Sequence, residues 1–254
     1  VTAEETRLGP LWSSMLRTTV GFSIIAVGAV VCMVLSILCL PSRVTRIKIS
    51  NYYGKTVGYA ITRMVGARPI IQNRERLDAS FPAIYVANHT SLLDAFLSIW
   101  LCPVGGCGVM KKQIVYVPFF GQLFVLSGHL RIDRGDRGKA IAALAKVAAL
   151  VKKHRLGIWI MPEGTRSKDG RLIPFKLGFV HLAIATGLPV VPLVYHNAHR
   201  IWPWGTLRYT PGDMRVDVLE PISTEGWREE TARDHAALVH DVMARALGEE
   251  QRPL

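Results

Sequence analysis

Cysteine and carboxylate are both scarce in this chain. Cys32, Cys39, Cys102 and Cys107 are the only cysteines in 254 residues. Their spacing fits no metal site, and two fall in an apolar run, so they read as reduced thiols packed as small hydrophobes, without a disulfide framework. Asp and Glu number 19 against 31 Lys and Arg, a formal net charge of +12. That imbalance asks for an anionic partner: nucleic acid, an acidic membrane surface or a phosphorylated substrate. The mean hydropathy of +0.24 turns the choice from nucleic acid towards membrane, and no basic stretch is interleaved with aromatics as in a nucleic-acid motif. No Gly-x-Ser-x-Gly nucleophile elbow is present, which removes the common signature of an esterase or thioesterase. Internal repeats and low-complexity stretches are also missing. The length suits one α/β domain plus an appendage.

Charge is absent altogether between Arg17 and Arg43. Residues 20–40 are almost wholly apolar, and as a helix they would span roughly 31 Å, close to the hydrocarbon thickness of a bilayer. The run is too long for a signal-peptide core, lacks a small-x-small cleavage site, and follows a polar leader with Glu4 and Glu5. Pro41 closes it. Arg43, Arg46, Lys48, Lys55 and Arg63 follow, against Arg7 and Arg17 before it, so the bulk of the chain is expected on the cytoplasmic face of the cell's inner membrane. Two anchors fit: a spanning helix over about residues 18–40, or a helical hairpin within one leaflet, bent near Gly28 and joined to residues 52–64. Residues 51–65 read as an amphipathic helix with Tyr52, Tyr53 and Tyr59 suited to the interface. The expected division is an anchor over residues 1–66 and an α/β domain over 67–254. Because the chain opens with Val1 rather than Met, a few native residues are expected to precede it.

Beyond the anchor, strand and helix patterns alternate. Strands are expected at 69–72, 84–86, 109–111, 157–161 and 188–195, the last broken by Pro192, with an edge strand at 215–219. Helices are expected at 92–101, 137–154, 174–186 and 231–247, the last turning Leu238, Val242 and Met243 inward. Residues 202–204 (Trp-Pro-Trp) suit an interfacial loop. This order predicts an α/β fold: a mixed, largely parallel sheet flanked by helices.

Two stretches carry chemistry. Residues 83–94 run from an apolar strand into a turn bearing Asn88 and His89, then into a helix carrying Asp94. If the first helical turn folds back, Asp94 reaches one imidazole nitrogen and leaves the other facing a cleft, as general-base chemistry on a hydroxyl requires. The alternative is structural, since Ser91 and Asp94 also form a capping-box pattern. The second stretch, residues 162–166, leaves a strand and offers Gly164 for close backbone approach, the Thr165 hydroxyl, and the planar fork of Arg166 for phosphate. The alternative there is a polar turn in which Glu163 and Arg166 pair. The apolar run 114–121 reads as core, or as an acyl-chain groove or interfacial surface. A metal at His196 and His199 lacks further ligands.

Taken together, residues 89–94, 128–134, 161–167 and 188–192 resemble the four ordered blocks of the glycerolipid acyltransferases, most closely those of bacterial 1-acylglycerol-3-phosphate acyltransferases. Lys111-Lys112, residues 117–122, and Pro174-Phe175-Lys176 with Gly178 fit the same pattern, and the similarity covers about residues 80–220. Met161 departs from the family's usual aromatic, and Arg131 from its usual apolar residue. The resemblance implies acyl transfer from an acyl-CoA or acyl carrier protein thioester to the sn-2 hydroxyl of lysophosphatidic acid. It needs neither cofactor nor metal, and nucleic acid has no part in it. His89 is then the base and Asp94 its orienting carboxylate. Arg166 would hold the phosphate, with Glu163, Gly164 and Thr165 shaping the loop and Arg134, Lys111, Gly128 and Arg131 completing the acceptor site. A different lysolipid or glycerol-3-phosphate acceptor, a membrane-anchored thioesterase, and a non-catalytic basic module on anionic lipid are the rival readings.

Overall fold

The computed structural model describes residues 11–111, 115–116, 120–132 and 137–253. Seven strands form one sheet in the order β1-β7-β6-β2-β5-β3-β4, where β1 is Ala67–Gln72, β2 Ile84–Ala87, β3 Gly106–Lys111, β4 Leu130–Ile132, β5 Gly157–Ile160, β6 Val190–Tyr195 and β7 Gly212–Val218. All neighbours run parallel except β6 and β7. This is the mixed, largely parallel α/β sheet that the alternation of patterns predicts.

The central strands are short apolar runs because both faces of the sheet are covered. Side chains alternate between the faces. Ile84, Val86, Ile158 and Ile160 point into one core with the helices α6 (Arg137–His154), α7 (Gly178–Thr186) and α9 (Ala232–Ala246). Tyr85, Ala87 and Trp159 point into the other, against α2 (Arg43–Met64) and α4 (Leu93–Leu101). Three short helices, α3 (Glu75–Ala79), α5 (Phe120–Leu126) and α8 (Ala198–Ile201), fill connections. The chain leaves β2 for α4 on one face and leaves the adjacent β5 for α7 on the other. Adjacent strands thus send their connections to opposite faces at their carboxyl ends, the place where open α/β sheets form ligand-binding crevices.

Several details differ from the sequence reading, among them the start of α7 at Gly178 and not at 174. Strand β6 continues through Pro192, whose carbonyl accepts from Leu219 N at 2.9 Å on the β7 side, so its missing donor falls where pairing with β7 has ended and the β2 ladder is untouched. Strand β7 is interior, and the edge is β1, because the long-range β1–β7 pairing is invisible to local alternation. In α9 the inward residues are Ala236, Val239 and Met243, whereas Leu238 is exposed. Trp202 is buried, not interfacial, with its ring stacked on Phe96 at 6.0 Å between centroids.

The N-terminal helices form an antiparallel pair. Helix α1 (Leu11–Leu38) is long and apolar enough to cross a membrane. It continues as one helix through Gly28, whose lack of a side chain admits the Tyr53 ring of α2, while the Tyr53 hydroxyl donates to Ile25 O at 2.6 Å. Helix α2 begins at Arg43, earlier than its amphipathic pattern suggests, capped by Ser42. Polar contacts pin it to the sheet domain: Arg43 Nε donates to Gly128 O at 2.8 Å, and Asn51 bridges Gly105 N and Gly106 O at 2.8 and 3.0 Å.

Candidate active site

His89 and Asp94 meet because β2 ends one residue before Asn88 and α4 begins at Leu93. The Asn88 amide fixes the exit. It donates to Tyr195 O at 3.0 Å and accepts from Tyr195 N at 2.7 Å, extending the β2–β6 ladder through a side chain. Asp94, in the first turn of α4, folds back over this junction. Its Oδ2 lies 3.2 Å from His89 Nδ1 and accepts the backbone N–H groups of Thr90 and Ser91 at 2.5 and 2.7 Å. Ser91 Oγ accepts from Leu93 N at 3.1 Å and donates to Trp202 O at 2.8 Å. The capping box and the imidazole brace are thus one arrangement, and the same carboxylate serves both. Asp94 is fully buried, while His89 keeps 18% of its side-chain surface open. The contact through Nδ1 leaves Nε2 free for a ligand.

Because β5 lies beside β2, the loop 161–167 emerges next to this turn. Two bonds join them: His89 N donates to Glu163 Oε1 at 2.8 Å, and Ser167 N donates to His89 O at 2.8 Å. The backbone of His89 is therefore held on both sides by the loop that carries Arg166. Glu163 is not paired with Arg166 and does not open to the crevice, since only 1% of it is exposed. Its carboxyl is bonded to the His89 and Ile173 backbones, which makes it a buttress for the backbone of His89. Burial pushes its carboxyl up to about 8, opposed by the hydrogen bond from His89 N and reinforced by the charge of Asp94. Gly164 turns the loop with a φ of +73°, a conformation that glycine adopts without strain. Thr165 is exposed.

Arg166 is half-buried, and its guanidinium lies over the Trp204 ring, Cζ 3.8 Å from the centroid. Burial lowers its pKa, and the nearby Asp94 charge acts in the opposite sense, which sets the two motifs within one electrostatic neighbourhood.

The other expected acceptor residues are less closely joined. Gly128 sits in a turn with a φ of +83° beneath the Arg43 side chain. Arg131 lies in β4, paired through its backbone with Met110, and Lys111 ends β3 opposite Ile132. Arg134 lies outside the described residues, as do the side chains of Lys111 and Arg131 and, within the run 114–121, residues 114 and 117–119. Among the described residues no three His, Cys, Asp or Glu side chains converge as a metal site would require. His196 instead faces Asp217, Nε2 to Oδ2 at 2.8 Å.

The acyltransferase family profile matches residues 68–196, the stretch that contains both motif loops. The chain belongs to the acyltransferase family. Among the relatives of this acyltransferase is a protein from Limnanthes douglasii named 1-acyl-sn-glycerol-3-phosphate acyltransferase. It is 39% identical over 241 residues, covering 95% of this chain and 85% of the relative. A protein of the same name from Escherichia coli is 38% identical over 168 residues, 66% of this chain and 67% of its own length. The fold is shared with the crystal structure of the 1-acyl-sn-glycerophosphate acyltransferase from Thermotoga maritima, with a TM-score of 0.76 over 93% of each chain at 23% identity. For the acyltransferase described here, the sequence pointed to His89, Asp94 and the loop 162–166. It gave no part in the site to Asn88, Trp202 or Trp204. Of these, Asn88 carried the only available signal, a polar residue placed directly at the exit of a buried strand.

Proposed function

We propose that this acyltransferase moves a fatty acyl group from an acyl thioester, carried on CoA or acyl carrier protein, to the sn-2 hydroxyl of 1-acyl-sn-glycerol-3-phosphate, giving phosphatidic acid. The observation that carries the reading is the doubly bonded join between the His89–Asp94 turn and the Arg166 loop, which sets the proposed base beside the loop that bears the proposed anion-binding fork. The names of the relatives support the acceptor.

In the proposed reaction His89 Nε2 takes the proton of the acceptor hydroxyl as its oxygen bonds to the thioester carbonyl carbon. The tetrahedral intermediate then collapses with cleavage of the C–S bond, and the imidazolium returns the proton to the leaving thiolate. Asp94 holds Nδ1 protonated and stabilises the imidazolium. Arg166 clamps the phosphate, and Glu163 keeps the His89 backbone in place from beneath. Neither a covalent acyl-enzyme nor a cofactor is required. A positioned base contributes ~10² to 10⁴ in rate, so orientation by the phosphate clamp carries much of the remainder.

We also place the protein at the inner membrane with its sheet domain on the cytoplasmic side. The outward face of α1, including Trp12, Leu16, Val27, Val31 and Leu38, is exposed and apolar. Since α1 lies along α2 and α2 is pinned to the domain, this stripe favours insertion into the facing leaflet over a helix that stands away from the protein.

The test is a screen of the purified protein in mixed micelles. Lysophosphatidic acid, glycerol-3-phosphate, lysophosphatidylglycerol and lyso-ornithine lipid would each be offered with acyl-CoA and with acyl carrier protein thioesters. Phosphatidic acid as the dominant product supports the reading. A preference for another acceptor refutes the substrate, and release of free fatty acid with no acylated lipid refutes transfer in favour of a thioesterase.

A further inference from the structure

We infer that Trp204 is a positioning residue for the acceptor's phosphate: its indole face holds the Arg166 guanidinium flat and aims its N–H edge at the ligand. The inference rests on the reading of Arg166 as the phosphate clamp.

The geometry constrains the guanidinium closely. Its Cζ lies 3.8 Å above the ring centroid. An N–H arm pointing down would come within about 2.5 Å of the ring, given a C–N bond of about 1.33 Å, inside van der Waals contact. A guanidinium lying roughly parallel to the indole avoids that contact. A flat stack uses the face of the cation and none of its N–H donors, so the fork stays available for a bidentate anion. An ion pair would hold Arg166 equally well but would occupy the donors the phosphate needs. Among the described residues Arg166 forms no ion pair. The other arginine over a tryptophan, Arg74 on Trp100, sits farther out at 5.7 Å.

Trp204 is itself fixed relative to the base. Two residues before it, Trp202 is buried, donates from Nε1 to Thr206 O at 3.0 Å, and receives the Ser91 hydroxyl on its carbonyl at 2.8 Å. Ser91 belongs to the turn that carries His89 and Asp94. A short covalent and hydrogen-bonded path thus links the platform under Arg166 to the turn under the base. In a glycerol phosphate the spacing between the reacting hydroxyl and the phosphate is set by its own skeleton. A platform tied to the base suits such a ligand.

The test is steady-state kinetics in mixed micelles with lysophosphatidic acid and acyl-CoA, with thermal unfolding to confirm that each variant is folded. Trp204→Ala should raise the acceptor KM roughly two- to thirtyfold, the range that a cation–π contact supplies. The kcat and the thioester KM should stay within about twofold. Trp204→Phe should recover most of the loss. Trp204→Leu, apolar but without a π face, should not. In an Arg166→Ala background Trp204→Ala should have no further effect. Equal rescue by Leu and Phe, or additive effects in the double variant, would overturn the inference. If Arg166→Ala raises the acceptor KM and Trp204→Ala does not, the platform alone fails. If Arg166→Ala leaves that KM unchanged, the phosphate reading fails with it.

Discussion

The two loops that make the site are built by opposite means. The turn 88–94 is over-determined: one Asp94 oxygen gathers the imidazole and two backbone amides, Asn88 ties the strand end to β6, and Ser91 ties the turn to Trp202. The loop 162–167 is anchored through its backbone and the buried Glu163, yet Arg166, the side chain proposed to clamp the phosphate, rests on a half-exposed ring. A base must hold its geometry through the reaction, so rigidity serves it. A cation that closes on an arriving anion needs its donors uncommitted.

If that contrast is right, damage should scale with how much of the brace is lost. The largest effect is expected for His89→Ala, which should lower kcat by ~10² to 10⁴ or more with little change in thermal stability, since the ring sits at the opening of the crevice. Unimpaired turnover in the purified variant would remove His89 from the mechanism. Asp94→Asn keeps an acceptor for the Thr90 and Ser91 amides but removes the charge that holds the imidazolium. It should fold normally and lower kcat by ~10 to 10³, with a changed pH–rate profile. A profile identical to the parent's would leave Asp94 with its capping role alone. Arg166→Lys keeps the charge but loses the planar fork, so the acceptor KM should rise ~10-fold at nearly constant kcat. An equal fall in kcat would place Arg166 in the chemical step instead of in binding.

The smallest expected effect sharpens the comparison from below. Glu163 has its pKa raised from 4.5 to about 8 by burial. It therefore binds its proton more tightly when folded. The stabilisation is complete below pH 4.5 and is lost as the pH rises towards about 8. Glu163→Gln stays neutral throughout and can still accept from His89 N. Across that window the melting temperature of the parent should decline relative to the Gln variant. Parallel curves for the two proteins would show that Glu163 is charged in the fold.

Much of this could be read in advance where the determinants are local. The strand–turn–helix at 84–101 shows a buried run, a polar turn and a helical period within a single stretch, and His89 and Asp94 fall on it at a spacing that one helical turn can close. The capping pattern and the catalytic pattern competed as readings, although in the folded chain one carboxylate satisfies both. Trp202 and Trp204 show the limit. Separated by one proline, they look alike in sequence, yet one is enclosed by Phe96 and Tyr209 and the other lies open beneath Arg166. Phe96 and Arg166, which decide the difference, come from elements far away in the chain, so no local window could separate the two. Pro192 and the interior placement of β7 escaped for the same reason.

By itself, then, the order of residues determined which segments become strands and helices, where charge is withheld to leave an apolar helix, and which side chains have the chemistry for proton transfer and anion binding. These follow from periodicities of two and 3.6 and from functional groups, all of which act over a few residues. Only the tertiary structure decided that β5 settles beside β2, that Glu163 turns inward to His89, and that an indole forms the bed for Arg166. Sheet order and side-chain burial are set by contacts among distant segments, whose free energy is gained only once the chain has closed around them.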